Sequence, residues 1–175
     1  MKIILSLLLA VFTLTSFASA APETKKASQK DEEIVAFLIV LNNNEIAAAN
    51  KVSEKTVNKN VGSYARLMTK DHKQNLNETL KLSKKTQLQP LKTETVIALE
   101  QKGKDEIIVL SPLNNTAFEK AYIDAMVKGH AEALVVIDEK LKVVTNPALK
   151  KHLTATRTHV VHHLEKAQAI QKSLS

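Results

Sequence analysis

The chain has 175 residues, a formal net charge of +7, and 44% hydrophobic, 25% charged and 3% aromatic residues. It contains no cysteine and no tryptophan, three glycines and four prolines. Disulfide frameworks, thiolate metal sites and thiol nucleophiles are excluded, and the turn chemistry is too sparse for an all-β sandwich. A composition rich in Ala, Leu, Lys, Glu and Gln at this length points to one helical globular domain.

Met1-Lys2 is followed by the apolar run from Ile3 to Phe12 and, after Phe17, by Ala18-Ser19-Ala20. One positive charge, an apolar stretch and a small-x-small exit are the parts of a secretory signal peptide, so residues 1–20 are expected to be cleaved near Ala20. The run is shorter than the roughly 20 residues of a membrane span. No cysteine follows it to carry a lipid. The mature chain is therefore expected in the periplasm or outside the cell, with no transmembrane span.

Only Arg66 and Arg157 are arginines, and the mature aromatics are Phe37, Tyr64, Phe118 and Tyr122. Sequence-specific nucleic-acid recognition wants arginine forks or basic clusters with interleaved aromatics, which are missing. The scattered lysines read as a solvated surface. The partners they suit are an anionic envelope surface, loosely attracted, or another protein.

Residues 21–30 are small, polar and charged, and read as a disordered leader. Asp31 is a plausible N-cap, with Glu32 and Glu33 favourable in a first turn. A first helix then runs to about residue 56 on the stripe Ile34, Leu38, Leu41, Ala48, Val52. Asn58-Lys59-Asn60 marks a tight connection. A second helix continues to about residue 85 through Val61, Ala65, Met68, Leu76 and Leu80. Gln89-Pro90 closes it, because proline disfavours helix at the residue before it. Residues 93–102 read as a short helix, interrupted at Gly103, and Ile107 to Leu110 as a helical turn. A third long helix spans about 116–144 through Phe118, Tyr122, Met126, Leu134, Ile137 and Leu141. Asn146-Pro147 caps and starts the fourth, since proline suits the first helical position, and it runs through Leu149, Leu153, Val160, Leu164, Ala167 and Ile170. Helices of this length measure about 40 Å. Two short-linked hairpins joined by a long connection make residues 31–173 an all-α, ferritin-like four-helix bundle with a long crossover carrying a short helix.

One ionisable residue falls on each apolar stripe: Glu45, His72, His130 and His163. Glu45 lies 13 residues before Asn58 and His72 lies 14 after it, so an antiparallel hairpin brings them level. His130 lies 15 before Thr145 and His163 lies 18 after it, an offset of about 4.5 Å. His159 is closer to level and substitutes for His163 in this register. A carboxylate and three imidazoles converging inside a bundle suit one zinc, iron or copper ion, and suit magnesium or calcium poorly. Protons would compete for the nitrogens near pH 6.5. Three readings stay open: such a metal set, a mutually bonded buried polar layer, or residues turned to solvent. Di-iron chemistry needs Glu-x-x-His on two helices. Thr69, Val127 and Val160 stand three residues before the histidines, so it is not expected. His159, His162 and His163 also have the spacing of a surface metal clasp, and Asp71 reads as an exposed helix charge.

No serine stands in a nucleophile elbow, no glycine-rich phosphate loop is present, and no catalytic residue is assigned. The sequons at Asn77 and Asn114 are short patterns that matter only where secreted chains are glycosylated.

Asn44-Glu45-Ile46 and Tyr64-Ala65-Arg66-Leu67-Met68-Thr69-Lys70-Asp71-His72 resemble the first hairpin of the bacterial domain-of-unknown-function 4142 family. Ala117-Phe118-Glu119-Lys120-Ala121-Tyr122 with Met126 and His130 resembles its central segment, with Glu119 where aspartate is usual. Pro147 to Lys150 and His163 to Ala167 resemble its closing helix. The resemblance covers residues 32–173. It implies an exported, ferritin-like bundle and assigns no activity. Two functions from different classes follow: a non-enzymatic envelope or stress-associated binding or structural protein, or a metal-binding or metal-dependent redox protein with a Glu/His core site.

Overall fold

The computed structural model describes residues 21–174, with side chains from residue 28 onward. The expected signal peptide lies outside these residues. Five helices follow in order: α1 (Ala21–Ser53), α2 (Lys59–Thr86), α3 (Glu94–Leu110), α4 (Asn115–Val143) and α5 (Pro147–Leu174). The fold is all-α, with no strand among the described residues. None of the described helices is long and apolar enough to cross a membrane.

The chain reverses at each link, so α1, α3 and α5 run one way and α2 and α4 the other. α1 pairs with α2, α4 with α5, and α2 with α5 across the bundle. Two asparagines set the turns. Asn58 Oδ1 accepts from the backbone N–H groups of Asn60 (2.9 Å) and Val61 (3.1 Å), capping α2. Asn146 Oδ1 accepts from those of Ala148 and Leu149 (both 3.0 Å), capping α5 ahead of Pro147. Such caps satisfy donors that the first helical turn leaves free and contribute about 1 kcal/mol each.

A buried carboxylate from the opposite hairpin clamps each turn. Glu119 on α4 accepts from Asn58 N (2.6 Å) and Nδ2 (2.8 Å). Asp31 on α1 accepts from Thr145 N (2.9 Å), Thr145 Oγ1 (2.6 Å) and Asn146 N (2.9 Å). These two clamps fix the axial register of one hairpin on the other, and so the height at which interior side chains meet.

Three expectations need correction. Asp31 does not cap the first helix. α1 already runs from Ala21, so the stretch 21–30, expected as a disordered leader, is helical, with Pro22 in its first turn where a missing N–H costs nothing. The crossover helix is not interrupted at Gly103. α3 runs unbroken for 17 residues. Gly103 serves close approach instead: a Cβ there would collide with the Asn44 side chain, whose Nδ2 donates to the Leu99 carbonyl of α3 (2.8 Å). Leu80, expected inside, is 46% exposed. The inner face of α2 passes through Thr79 and Ser83 instead, whose hydroxyls donate to the Asn75 and Leu88 carbonyls (2.8 and 2.7 Å).

α3 lies along α1 and also touches α4. It gives α1 a second covered side, which is why Ile34 through Leu38 are buried all round the helix. The apolar core falls into two clusters, one around Ile34, Leu38, Ile137, Leu149 and Leu153, the other around Val52, Met68, Phe118, Tyr122 and Met126. The buried polar residues Asn42, Glu45, His72, His130 and His163 belong to neither cluster.

Candidate metal centre

His72 on α2, His130 on α4 and His163 on α5 are 4%, 2% and 1% exposed. Their ring centroids lie 6.1 Å (72–130), 5.2 Å (72–163) and 5.6 Å (130–163) apart. One ring nitrogen from each lies within 4.8 Å of those of the other two.

Each ring has one nitrogen held, and the partner dictates its tautomer. His130 Nδ1 is 2.8 Å from the Met126 carbonyl, which only accepts, so Nδ1 carries the hydrogen. His163 Nε2 is 3.0 Å from Asp71 Oδ2, so Nε2 carries it there. For His72 the argument runs through a relay that ends on backbone. Thr156 Oγ1 donates to the His152 carbonyl (3.0 Å) and accepts from Asn75 Nδ2 (2.8 Å). Asn75 Oδ1 accepts from Asn42 Nδ2 (2.8 Å), which also donates to the Leu38 carbonyl (2.7 Å). Asn42 Oδ1 is left to accept, and His72 Nδ1 donates to it at 2.9 Å.

The other nitrogens, His72 Nε2, His130 Nε2 and His163 Nδ1, are buried without a partner. With the outer nitrogens protonated, all three are bare lone pairs. Mutual hydrogen bonding inside the trio is therefore impossible, because no ring has a hydrogen to give. A single water brings two hydrogens for three acceptors. One metal ion satisfies all three. Outer N–H groups tied to a carboxylate, a carbonyl and a side-chain amide are the usual way in which ligating imidazoles are oriented.

Electrostatics agree. Burial pushes His130 and His163 down from the ordinary histidine value of 6.5 to about 4, opposed in part by the Met126 carbonyl and by Asp71 respectively. Burial, then the neighbouring His163, His130 and His159, holds His72 well below its ordinary value. The rings stay neutral, the form that ligates metal. Proton competition for these nitrogens is accordingly displaced to lower pH than the ordinary histidine range.

Of the sequence-derived set, His72, His130 and His163 meet, and Glu45 does not join them. Glu45 sits at the same height, with its Oε1 3.9 Å from where a Cβ on Gly129 would stand, but it faces the cavity between α1, α3 and α4. His159 is exposed, its ring 6.4 Å from that of His163. It borders a cavity of about 30 Å³, lined also by Asp71, His72, Asn75 and His163. His162 is exposed as well. Asp71, expected as a plain surface charge, is the partner of His163. Asn42, Asn75 and Thr156 were not foreseen, although an asparagine closing the apolar run Ile39-Val40-Leu41 is a visible signal.

Three imidazoles from three helices thus meet in the interior of an all-α bundle. The particular family is given by the match of residues 16–170 to the model described as "Domain of unknown function (DUF4142)", and the chain belongs to that family. No curated protein matches the chain. Among solved structures, a DUF305 protein from Streptomyces coelicolor superposes with a TM-score of 0.64 at 12% identity, over 85% of this chain and 91% of that one. That likeness establishes the shared helical fold.

Proposed function

We propose that the protein is an exported metal-binding bundle that holds one transition-metal ion on His72 Nε2, His130 Nε2 and His163 Nδ1. The observation that carries this reading is a trio of rings 5.2–6.1 Å apart, each with one buried nitrogen that has no partner and the other nitrogen hydrogen-bonded. Three imidazoles suit zinc, copper or iron and do not suit magnesium or calcium, which prefer oxygen cages. Three protein ligands leave a coordination position for water or another small ligand. A second ion has no further carboxylate or imidazole in the trio, so the site is mononuclear. Export rests on the signal-peptide pattern of residues 1–20.

The test is a titration of tag-free, chelator-treated mature protein with zinc, copper and magnesium, followed by thermal melting. Zinc and copper are expected to raise the melting temperature with a stoichiometry of one, and magnesium to leave it unchanged. His159→Ala is expected to respond like the parent, whereas equal stabilisation of His130→Ala would refute the site.

A further inference from the structure

A cavity of about 280 Å³ lies between α1, α3 and α4. Most of its lining surface is apolar, contributed by Phe37, Leu41, Val96, Leu99, Ala133 and Val136. Its volume exceeds the roughly 150 Å³ that takes a benzene molecule, and sits near the lower end of small-molecule pockets. Gly129 lines the wall opposite Glu45, and the side chain missing there keeps the space open.

Into this apolar space α1 projects Glu45. The residue is 8% exposed, and its Oε2 is buried with no hydrogen-bond partner. Glu106 of α3 lines the same cavity. The cations at the rim are already engaged: Lys102 pairs with Glu132, bridging α3 and α4, and Lys140 pairs with Glu33 at 2.9 Å. Tyr64 of α2 and Tyr122 of α4 also face Glu45 and stay neutral, their hydroxyls raised by burial. The charge left unmatched is negative.

We propose that this cavity binds a small organic ammonium ion, an aryl- or alkylamine whose cationic nitrogen pairs with Glu45 while its hydrocarbon body fills the apolar walls. A bare divalent metal is a poor occupant, because it would leave the apolar part of the wall unfilled. An anion would meet two unpaired carboxyls, and its only countercharges are lysines held elsewhere. The titration behaviour is consistent with one positive charge. Burial raises Glu45 to about 7 against the pull of Lys102, and burial together with Glu45 raises Glu106 to about 7. A bound ammonium holds its carboxylate ionised, so binding releases a proton and strengthens as pH rises through 7.

The probes are 2-phenylethylamine, 2-phenylethanol and 3-phenylpropanoate, similar in shape and different in charge. Each is titrated at pH 8 into metal-free mature protein by calorimetry and ¹H–¹⁵N spectroscopy. The amine is expected to bind one to one, at least tenfold more tightly than the alcohol, with the carboxylate weakest and shifts confined to residues lining the cavity. Glu45→Gln is expected to bring amine and alcohol to equal affinity. Its circular dichroism and its zinc response, carried by the separate imidazole site, report that it is folded. Glu106→Gln provides a second variant and is expected to weaken the amine less. Absence of amine binding, a carboxylate that binds as well as the amine, or an amine preference that survives Glu45→Gln would each overturn the proposal.

Discussion

Asn42 and Glu45 stand three residues apart on α1 and face two interiors that treat buried polar groups in opposite ways. On the Asn42 side, relays that end on backbone or on Asp71 hold every outer nitrogen of the imidazoles. On the Glu45 side, the residue lines a largely apolar cavity and its buried Oε2 has no partner. Burial drives both toward the neutral form, pushing His130 and His163 down to about 4 and Glu45 up to about 7. For an imidazole the neutral form is the ligand. For a carboxyl it is the form that has lost its attraction for a cation. Burial alone therefore does not build a metal site. The hydrogen bonds behind the rings, which point the lone pairs inward, make the difference between the two sides.

The largest expected effect breaks the comparison on the imidazole side. At a hundredfold excess over its Kd, a bound ion stabilises the fold by about 2.7 kcal/mol. His72→Ala and His130→Ala are each expected to lose that increment entirely, read as the zinc-induced shift in melting temperature. Next come the groups behind the rings. Asn42→Ala and Asp71→Asn leave all three ligands in place, yet are expected to weaken zinc by about 10- to 100-fold in calorimetry, because tautomer and ring orientation are no longer set. Affinity equal to that of the parent would show that the relay has no part in the site.

The height of the polar residues was legible in the sequence; the side of α1 they face was not. Counting outward from Asn58 and Thr145 correctly places Glu45, His72, His130 and His163 near one level, because each link is short and each turn is capped by an asparagine. The preference for His163 over His159 comes from the clamps of Asp31 and Glu119, which act between hairpins and leave no periodic trace. Glu45 turns away because α3 makes a second interior for α1. That helix was read as two fragments, since a glycine within a helical pattern looks the same whether it breaks the helix or admits a neighbour such as Asn44. All four long helices were recognisable from their apolar period, whereas Asn42 and Asp71 acquire their roles only through contacts 30 and 92 positions away.

The pH dependence of metal-free stability sharpens the same contrast. A histidine with a folded value near 4 and an unfolded value near 6.5 withdraws stability as pH falls through that interval. Glu45 and Glu106, raised from 4.5 to about 7, withdraw it as pH rises through theirs. The melting temperature is expected to peak at about pH 6.5. Glu45→Gln is expected to flatten the alkaline limb and leave the acid limb, which belongs to the imidazoles, at least as steep. Gly103→Ala forces Asn44 aside and is expected to cost about 1–3 kcal/mol in denaturant melts with zinc affinity unchanged.

The most direct test of the imidazole site is long-range ¹H–¹⁵N spectroscopy of the histidine rings in the mature protein, before and after one equivalent of zinc. The metal-free spectrum is expected to show His72 and His130 protonated on Nδ1 and His163 on Nε2. Zinc is expected to shift His72 Nε2, His130 Nε2 and His163 Nδ1 alone. Unmoved ring nitrogens in the trio, or shifts confined to His159 and His162, would contradict the account.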